Sequence, residues 1–233
     1  MTRVAVLASG SGTNLQALID HAATRGESAA ARLVLVASDR SGAGALARGA
    51  AAGIATATLD AAQRSTGLRA ILDANGIELI VLAGYLRMIP ADVTAAWRGR
   101  IMNVHPALLP AFGGHGMYGR RVHEAVLASG TRLSGPTIHF VDERYDEGPI
   151  IAQWPVPVLP DDTPDALAAR VLEAEHMLLP RIVEAVASGA IRLDDDGRVA
   201  GKLVLPFRHF SGAADLEEAG RQLEQSLERP ARA

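Results

Sequence analysis

The 233-residue sequence contains no cysteine. Disulfide bridges, thiolate metal sites and a cysteine nucleophile are therefore excluded together. Lysine is nearly missing as well: Lys202 stands alone among 23 lysines and arginines, so the positive charge is almost entirely guanidinium. Against 26 acidic residues the formal net charge is −3, with a pI near 6.2. That balance gives no electrostatic footprint for nucleic acid or an anionic membrane, and a small-molecule ligand is expected instead. No apolar run reaches membrane-spanning length, and MTRVAVLASG enters a strand pattern without the charged start and long apolar segment of a secretory leader. These absences predict a soluble, cytoplasmic chain without internal repeats. With 48% hydrophobic and 21% charged side chains, it can bury one large core.

What is there is a rhythm of short apolar runs and helical patterns. VAVLAS (4–9), LVLVAS (33–38), IATATL (54–59) and ELIVLAG (78–84) read as strands, with helical segments after each of the first three. Repeated strand-then-helix units predict a doubly wound α/β layer with a mostly parallel sheet, because parallel neighbours need crossover connections. After IMNVHP (101–106) come a Gly-rich loop and the helix RRVHEAVLASG. GPTIHFVD and PIIAQWPVPV then follow with few residues between them, which favours an antiparallel pair joined through ERYDEG. Thr163 and Pro164 read as the cap and first turn of a long helix running to about Gly189, with Pro180 as an expected kink. DDDG (194–197) reads as a turn between two last short strands. The chain divides into one domain over 1–205 and an extension over 206–233, within which 214–228 has an amphipathic helical pattern.

Chemistry in an open parallel sheet sits beyond the carboxyl ends of its strands. Three segments fall there. In ASGSGTNL, Gly10 and Gly12 permit a tight turn, and the amides of Gly12, Thr13 and Asn14 at a helix start form an anion cradle. A plain capped Gly turn is the equal alternative. A dinucleotide fingerprint is disfavoured, since the third glycine is missing and Asp39 is a loose match to its ribose-binding acid. In NVHPALLPAF, Asn103 and His105 lie two apart and share a strand face, while Pro106 and Pro110 stiffen the exit. An amide beside an imidazole suits a developing oxyanion. In ERYDEGPI, any of Asp142, Glu143, Asp146 and Glu147 can orient His105, and the residues alone do not choose among them. A metal site from His105, His115, His123 and these acids lacks ligand spacing, so no metal is expected.

The segments SGSGTNLQALID, VLAGYLRMI, NVHPALLPAF, DEGPII and EAEH, in this order and spacing, resemble the phosphoribosylglycinamide formyltransferase branch of the folate-dependent formyltransferases. The likeness runs over about residues 1–205. It implies a Rossmann-like fold and transfer of a formyl group from 10-formyltetrahydrofolate, as cosubstrate, to the amine of glycinamide ribonucleotide in purine synthesis. It also implies small-molecule partners only, in a monomer or homodimer. By resemblance, Asn103, His105 and Asp146 form the catalytic trio, with a protonated His105 held charged by Asp146. Gly12, Thr13 and Asn14 hold the substrate phosphate, and Glu175 lies near the glycinamide. Leu86, Arg87, Met88 and Ile89 line the folate pocket together with Asn103, and Arg87 pairs with the glutamyl carboxylate. Asp142, Glu143, Arg144 and Tyr145 close on the pteridine, and Arg64 aligns loosely with a further folate-site arginine.

Two departures stand out. The Gly-rich loop AFGGHGMYGRRVHEA is longer than the family's usual connection, leaving His115 and Tyr118 without an assigned role although His123 matches a family histidine. The tail after about Ser211 is mostly foreign to the family. Related branches carry an extra carboxyl-terminal domain (methionyl-tRNA formyltransferases) or an amino-terminal regulatory domain (formyltetrahydrofolate hydrolases), and neither is expected here. A formyltetrahydrofolate hydrolase, a non-catalytic nucleotide sensor and a dehydrogenase are the competing readings.

Overall fold

The computed structural model describes residues 1–59, 64–201 and 220–221. The expected extension over 206–233 and its amphipathic helix lie outside the described residues, except Gly220 and Arg221. In chain order the elements are β1 (Thr2–Leu7), α1 (Thr13–Arg25), a 3-10 turn (Gly26–Ser28), β2 (Ala31–Ser38), α2 (Gly44–Ala51), β3 (Ala55–Thr58), α3 (Arg64–Ala74), β4 (Leu79–Leu82), α4 (Ala91–Ala96) and β5 (Ile101–His105). They continue with α5 (Arg120–Ser129), β6 (Leu133–Ser134), β7 (Thr137–Phe140), β8 (Ile150–Gln153), β9 (Val156–Pro157), α6 (Pro164–Ala187), β10 (Ile191–Leu193) and β11 (Val199–Gly201).

Seven strands form the central sheet in the order β3-β2-β1-β4-β5-β7-β8. The first five are parallel, β7 runs antiparallel to β5, and β8 runs antiparallel to β7. The chain leaves β1 in one direction to build β2 and β3, then returns past it to build β4 and β5. The gap between β1 and β4 is therefore the switch point, where a crevice opens at the carboxyl ends of the strands.

Alternation along each strand divides the core into two layers. Val4, Val6, Val81, Met102, Val104, Ile138 and Phe140 face α1, α5 and α6, whereas Ala5, Leu7, Ile80, Leu82 and Ile101 face α3 and α4. Ile101 shares its face with Asn103 and His105, so burial of the odd and even positions of β5 fixes where the polar pair points. On β7, Ile138 and Phe140 are at most 1% exposed. Their burial in the first layer turns His139 to the face of Asn103, its partner across the ladder.

The long helix α6 begins as its local sequence dictates. Thr163 Oγ1 accepts a hydrogen bond from the Ala166 amide at 3.1 Å, and Pro164 occupies the first turn. The helix continues through Pro180 to Ala187. Two expectations needed revision. PIIAQWPVPV is not one strand: the ladder of β8 ends at Gln153, and Val156–Pro157 pairs with Leu133–Ser134 in a separate two-stranded sheet. Pro155 has no N–H with which to continue the ladder. The short helix α4 falls in a stretch where no helix was expected, after Pro90. No described helix is long and apolar enough to cross a membrane.

Candidate active site

The switch point opens into a cavity of about 940 Å³. Its walls come from the loop after β4, the ends of β5 and β7, the Gly-rich loop before α5, the β7–β8 connection and the amino-terminal half of α6. At the α1 end, Gly12 has φ 77°, and a Cβ there would sit 2.7 Å from the Ala45 backbone. Only glycine allows α2 to pack this close to the turn. Among the described residues no side chain caps the α1 amino terminus, which leaves its first amides available to an anion. Just inside, Asn14 Nδ2 donates to Glu175 Oε2 at 2.6 Å, joining α1 to α6. Glu175 is 6% exposed, and this burial pushes its carboxyl up to about 7 against the opposing Asn14 bond.

Four polar side chains meet at the centre. His105 Nε2 lies 2.9 Å from the Phe112 carbonyl oxygen, so that nitrogen carries a proton and donates it. His105 Nδ1 faces Asp146 Oδ2 at 3.5 Å. The same carboxylate oxygen accepts the Gly114 amide at 2.9 Å. Asn103 Nδ2 donates to Asp146 Oδ1 at 3.4 Å and lies 3.1 Å from His139 Nε2. His139 Nδ1 is 2.8 Å from the Phe140 carbonyl, which places its proton there and leaves Nε2 to accept from Asn103. The amide of Asn103 is thereby oriented from behind.

Only two described non-glycine residues hold positive φ, Phe112 at 57° and Asp146 at 56°, and both bear on His105. Left-handed backbone is unfavourable for either side chain and persists where surroundings impose it. Next to Asp146, a Cβ on Gly148 would collide with the Phe140 carbonyl oxygen, so the turn that aims Asp146 requires glycine there.

Burial pulls the His105 imidazole below its ordinary value, opposed by the Asp146 carboxylate and the Phe112 carbonyl, with His139 adding to the fall. That direction favours a neutral ring in the free protein, whereas the resemblance implies that Asp146 holds the histidine charged. One proton serves two acceptors, so a proton gained during a reaction finds a place prepared for it. Burial pushes Asp146 upward, but the His139 and His105 rings and the Gly114 amide outweigh it and hold the carboxyl below the usual carboxylate range. His123, also in the wall, is lowered by burial and by nearby His105, and its Nδ1 has no hydrogen-bond partner among the described residues.

Asn14, Leu86, Arg87, Met88, Ile89, Asn103, His105, Asp142, Arg144, Tyr145, Asp146 and Glu175 all line this one cavity. Gly12 and Thr13 do not; Thr13 borders a smaller neighbouring pocket of about 450 Å³ instead. Glu143 is exposed and outside the wall. The side chain of Arg64, at the start of α3, lies outside the described residues. Arg87 donates through Nε to Asp39 Oδ2 at 3.0 Å. Glu147 pairs with Arg144 at 2.6 Å, and Asp142 caps its own turn through the Arg144 amide at 2.8 Å. Of the four acids left open, only Asp146 faces His105. His139 was missed: its partner is set by ladder register across 36 residues, and sequence periodicity gave no sign of it. The Gly-rich loop packs on the same centre through Gly114, and the His115 and Tyr145 rings meet edge to face at 5.6 Å. No group of three or more potential ligands is placed to hold a metal among the described residues.

Fold and site place the chain among doubly wound α/β proteins that take a ligand at the sheet's switch point. The chain belongs to the formyl transferase family, whose sequence model matches residues 2–183. It is 53% identical over 127 residues to the chloroplastic phosphoribosylglycinamide formyltransferase of Arabidopsis thaliana, covering 54% of this chain and 44% of the plant protein. The trifunctional purine biosynthetic protein adenosine-3 of Gallus gallus is 40% identical over 206 residues, covering 86% of this chain and 20% of the avian protein. The chain therefore spans less than half the length of these curated relatives. The crystal structure of phosphoribosylglycinamide formyltransferase from Anaplasma phagocytophilum superposes with a TM-score of 0.78 at 35% identity, covering 86% of this chain and 93% of the other.

Proposed function

We propose that the protein transfers the formyl group of 10-formyltetrahydrofolate to the amine of glycinamide ribonucleotide. The observation that carries this reading is the meeting of Asn103, His105 and Asp146 in one cavity that Leu86–Ile89 and the bonded Asn14–Glu175 pair also line. That layout suits two substrates meeting at a shared reacting carbon. The names of the relatives and of the solved structure support the same chemistry.

The ribonucleotide phosphate sits at the α1 amino terminus, with Glu175 beside the glycinamide. The folate lies along Leu86–Ile89, covered by the Asp142–Tyr145 turn. The amine nitrogen bonds to the formyl carbon, and the carbonyl electron pair moves to oxygen. Asn103 donates to that oxyanion in exchange for its long bond to Asp146, with His139 fixing the amide plane, and the charge that His105 gains steadies it from nearby. The proton shed by the amine reaches the His105–Asp146 pair through a water and is then delivered to the folate nitrogen as the carbon–nitrogen bond breaks. Imidazolium formation is favoured at that moment because both ring nitrogens then donate, one to Phe112 and one towards Asp146. Atoms balance without a covalent enzyme intermediate or a metal.

The test follows formyl loss from a 10-formyl folate spectrophotometrically, with and without glycinamide ribonucleotide. Turnover dependent on the ribonucleotide is expected. Equal turnover without it makes the protein a hydrolase, and no turnover in either case refutes catalysis.

A further inference from the structure

Asp39 lies beyond the cavity wall, just after β2, where a dinucleotide-binding protein would place its ribose-binding acid. Its carboxylate is occupied in another way. The side chain is 8% exposed, and a charge so covered needs partners. Oδ1 accepts the Ser9 hydroxyl at 2.5 Å, and Oδ2 accepts Arg87 Nε at 3.0 Å. Ser9 Oγ accepts the Leu86 amide at 3.0 Å, and the Ser9 amide donates to the Gly84 carbonyl at 3.1 Å. These four bonds tie together the ends of β1, β2 and β4, the three strands around the switch point.

The consequence for Arg87 is geometric. Its side chain is 50% exposed and lines the cavity, and such a long chain would ordinarily sample many rotamers. Anchoring through Nε fixes the plane of the guanidinium while leaving its two terminal nitrogens out of that bond. A planar fork held this way matches a carboxylate through two parallel hydrogen bonds.

We propose that Asp39 is a positioning residue that pre-orders Arg87 to receive the glutamate carboxylate of the formyl donor. The inference rests on the formyl-transfer reading and adds a residue that makes no contact with the cavity. Asp39 reaches the ligand through Arg87; its second bond is to the Ser9 hydroxyl, and the main-chain bond from Ser9 to Gly84 holds the loop independently of it.

Calorimetry tests this with a 10-formyl folate analogue and its pteroate counterpart, which lacks the glutamate. The wild-type protein should bind the folate more tightly than the pteroate. Asp39→Ala should weaken the folate about fivefold to tenfold, the cost of ordering one long side chain on binding, and leave the pteroate within about twofold. Asp39→Asn, which keeps the volume and one acceptor, should fall between. Asp39→Ala added to Arg87→Ala should cost nothing further. Wild-type discrimination with an Asp39→Ala loss that is absent, or equal for both ligands, overturns the proposal and leaves the functional reading intact. Failure of the wild type to bind either ligand overturns both.

Discussion

Replacing Asp146 by asparagine removes one negative charge and almost no volume. In the structure that charge lies 3.5 Å from His105 Nδ1, with the carboxylate side chain 12% exposed. At an effective dielectric constant of about 20, a carboxylate and an imidazolium this far apart attract by roughly 5 kcal/mol. In the resting protein the ring is neutral, so this attraction is absent from the ground state and grows as the amine proton arrives. A proton about half transferred in the transition state makes the loss about 2–3 kcal/mol, or roughly 30- to 150-fold in kcat. An asparagine oxygen in the place of Oδ2 retains the Gly114 bond, so the fold should persist. Steady-state formyl transfer with each substrate varied in turn should therefore show the loss in kcat, with both KM values within about threefold of wild type. The pH at which His105 titrates should also move lower, because the group that opposes its burial has gone. A kcat loss below threefold, or one confined to KM, would refute the assignment of Asp146 to proton transfer.

Three further outcomes follow from neighbouring geometry. Glu175 has a folded-state value near 7 against an ordinary 4.5, so its contribution to stability is present below about 4.5 and is lost as pH rises through 7. At 1.36 kcal/mol per unit the span is about 3 kcal/mol, and Glu175→Gln, which can still accept from Asn14, should unfold at higher urea than wild type at pH 8.5 but not at pH 4.5; parallel melting curves at both pH values would contradict this. Gly12→Ala forces a methyl to within 2.7 Å of the Ala45 backbone at φ 77°, and should cost about 1–3 kcal/mol in urea unfolding and weaken ribonucleotide binding more than folate binding. His139→Ala removes the acceptor that orients Asn103 and should lower kcat about tenfold with little change in either KM, as expected for one misdirected oxyanion donor; an unchanged kcat would show that Asn103 holds its orientation alone.

The features legible in sequence were those with local causes. Thr163 and Pro164 announced α6 because capping and a proline in the first turn are decided within four residues. Asn103 and His105 declared a common face because strand parity needs only the run Ile101–His105. The change to antiparallel pairing at β7 and β8 followed from a connection too short for a crossover. What escaped was set by distance. Asn14 meets Glu175 across 161 residues, and Asn103 meets His139 by ladder register. Four acids in one turn looked alike until the left-handed backbone at Asp146 aimed it at His105. The expectation that Arg87 pairs with the glutamyl carboxylate gave no place to Asp39, because the polar ends of β1, β2 and β4 converge only after the sheet has formed.

The paired left-handed residues have a consequence for how the protein can change. Glycine at either position would relieve the backbone at no steric cost, so selection for heat resistance alone would have a ready route at 112 and 146. At 146 that route deletes the carboxylate that steadies His105. Phe112 reaches the same ring through its main-chain carbonyl, so a glycine there would leave the bond but slacken its aim. Thermal robustness and turnover therefore pull against each other at these two points. Libraries screened only for survival on heating should enrich glycine at 112 and 146 among folded, inactive clones.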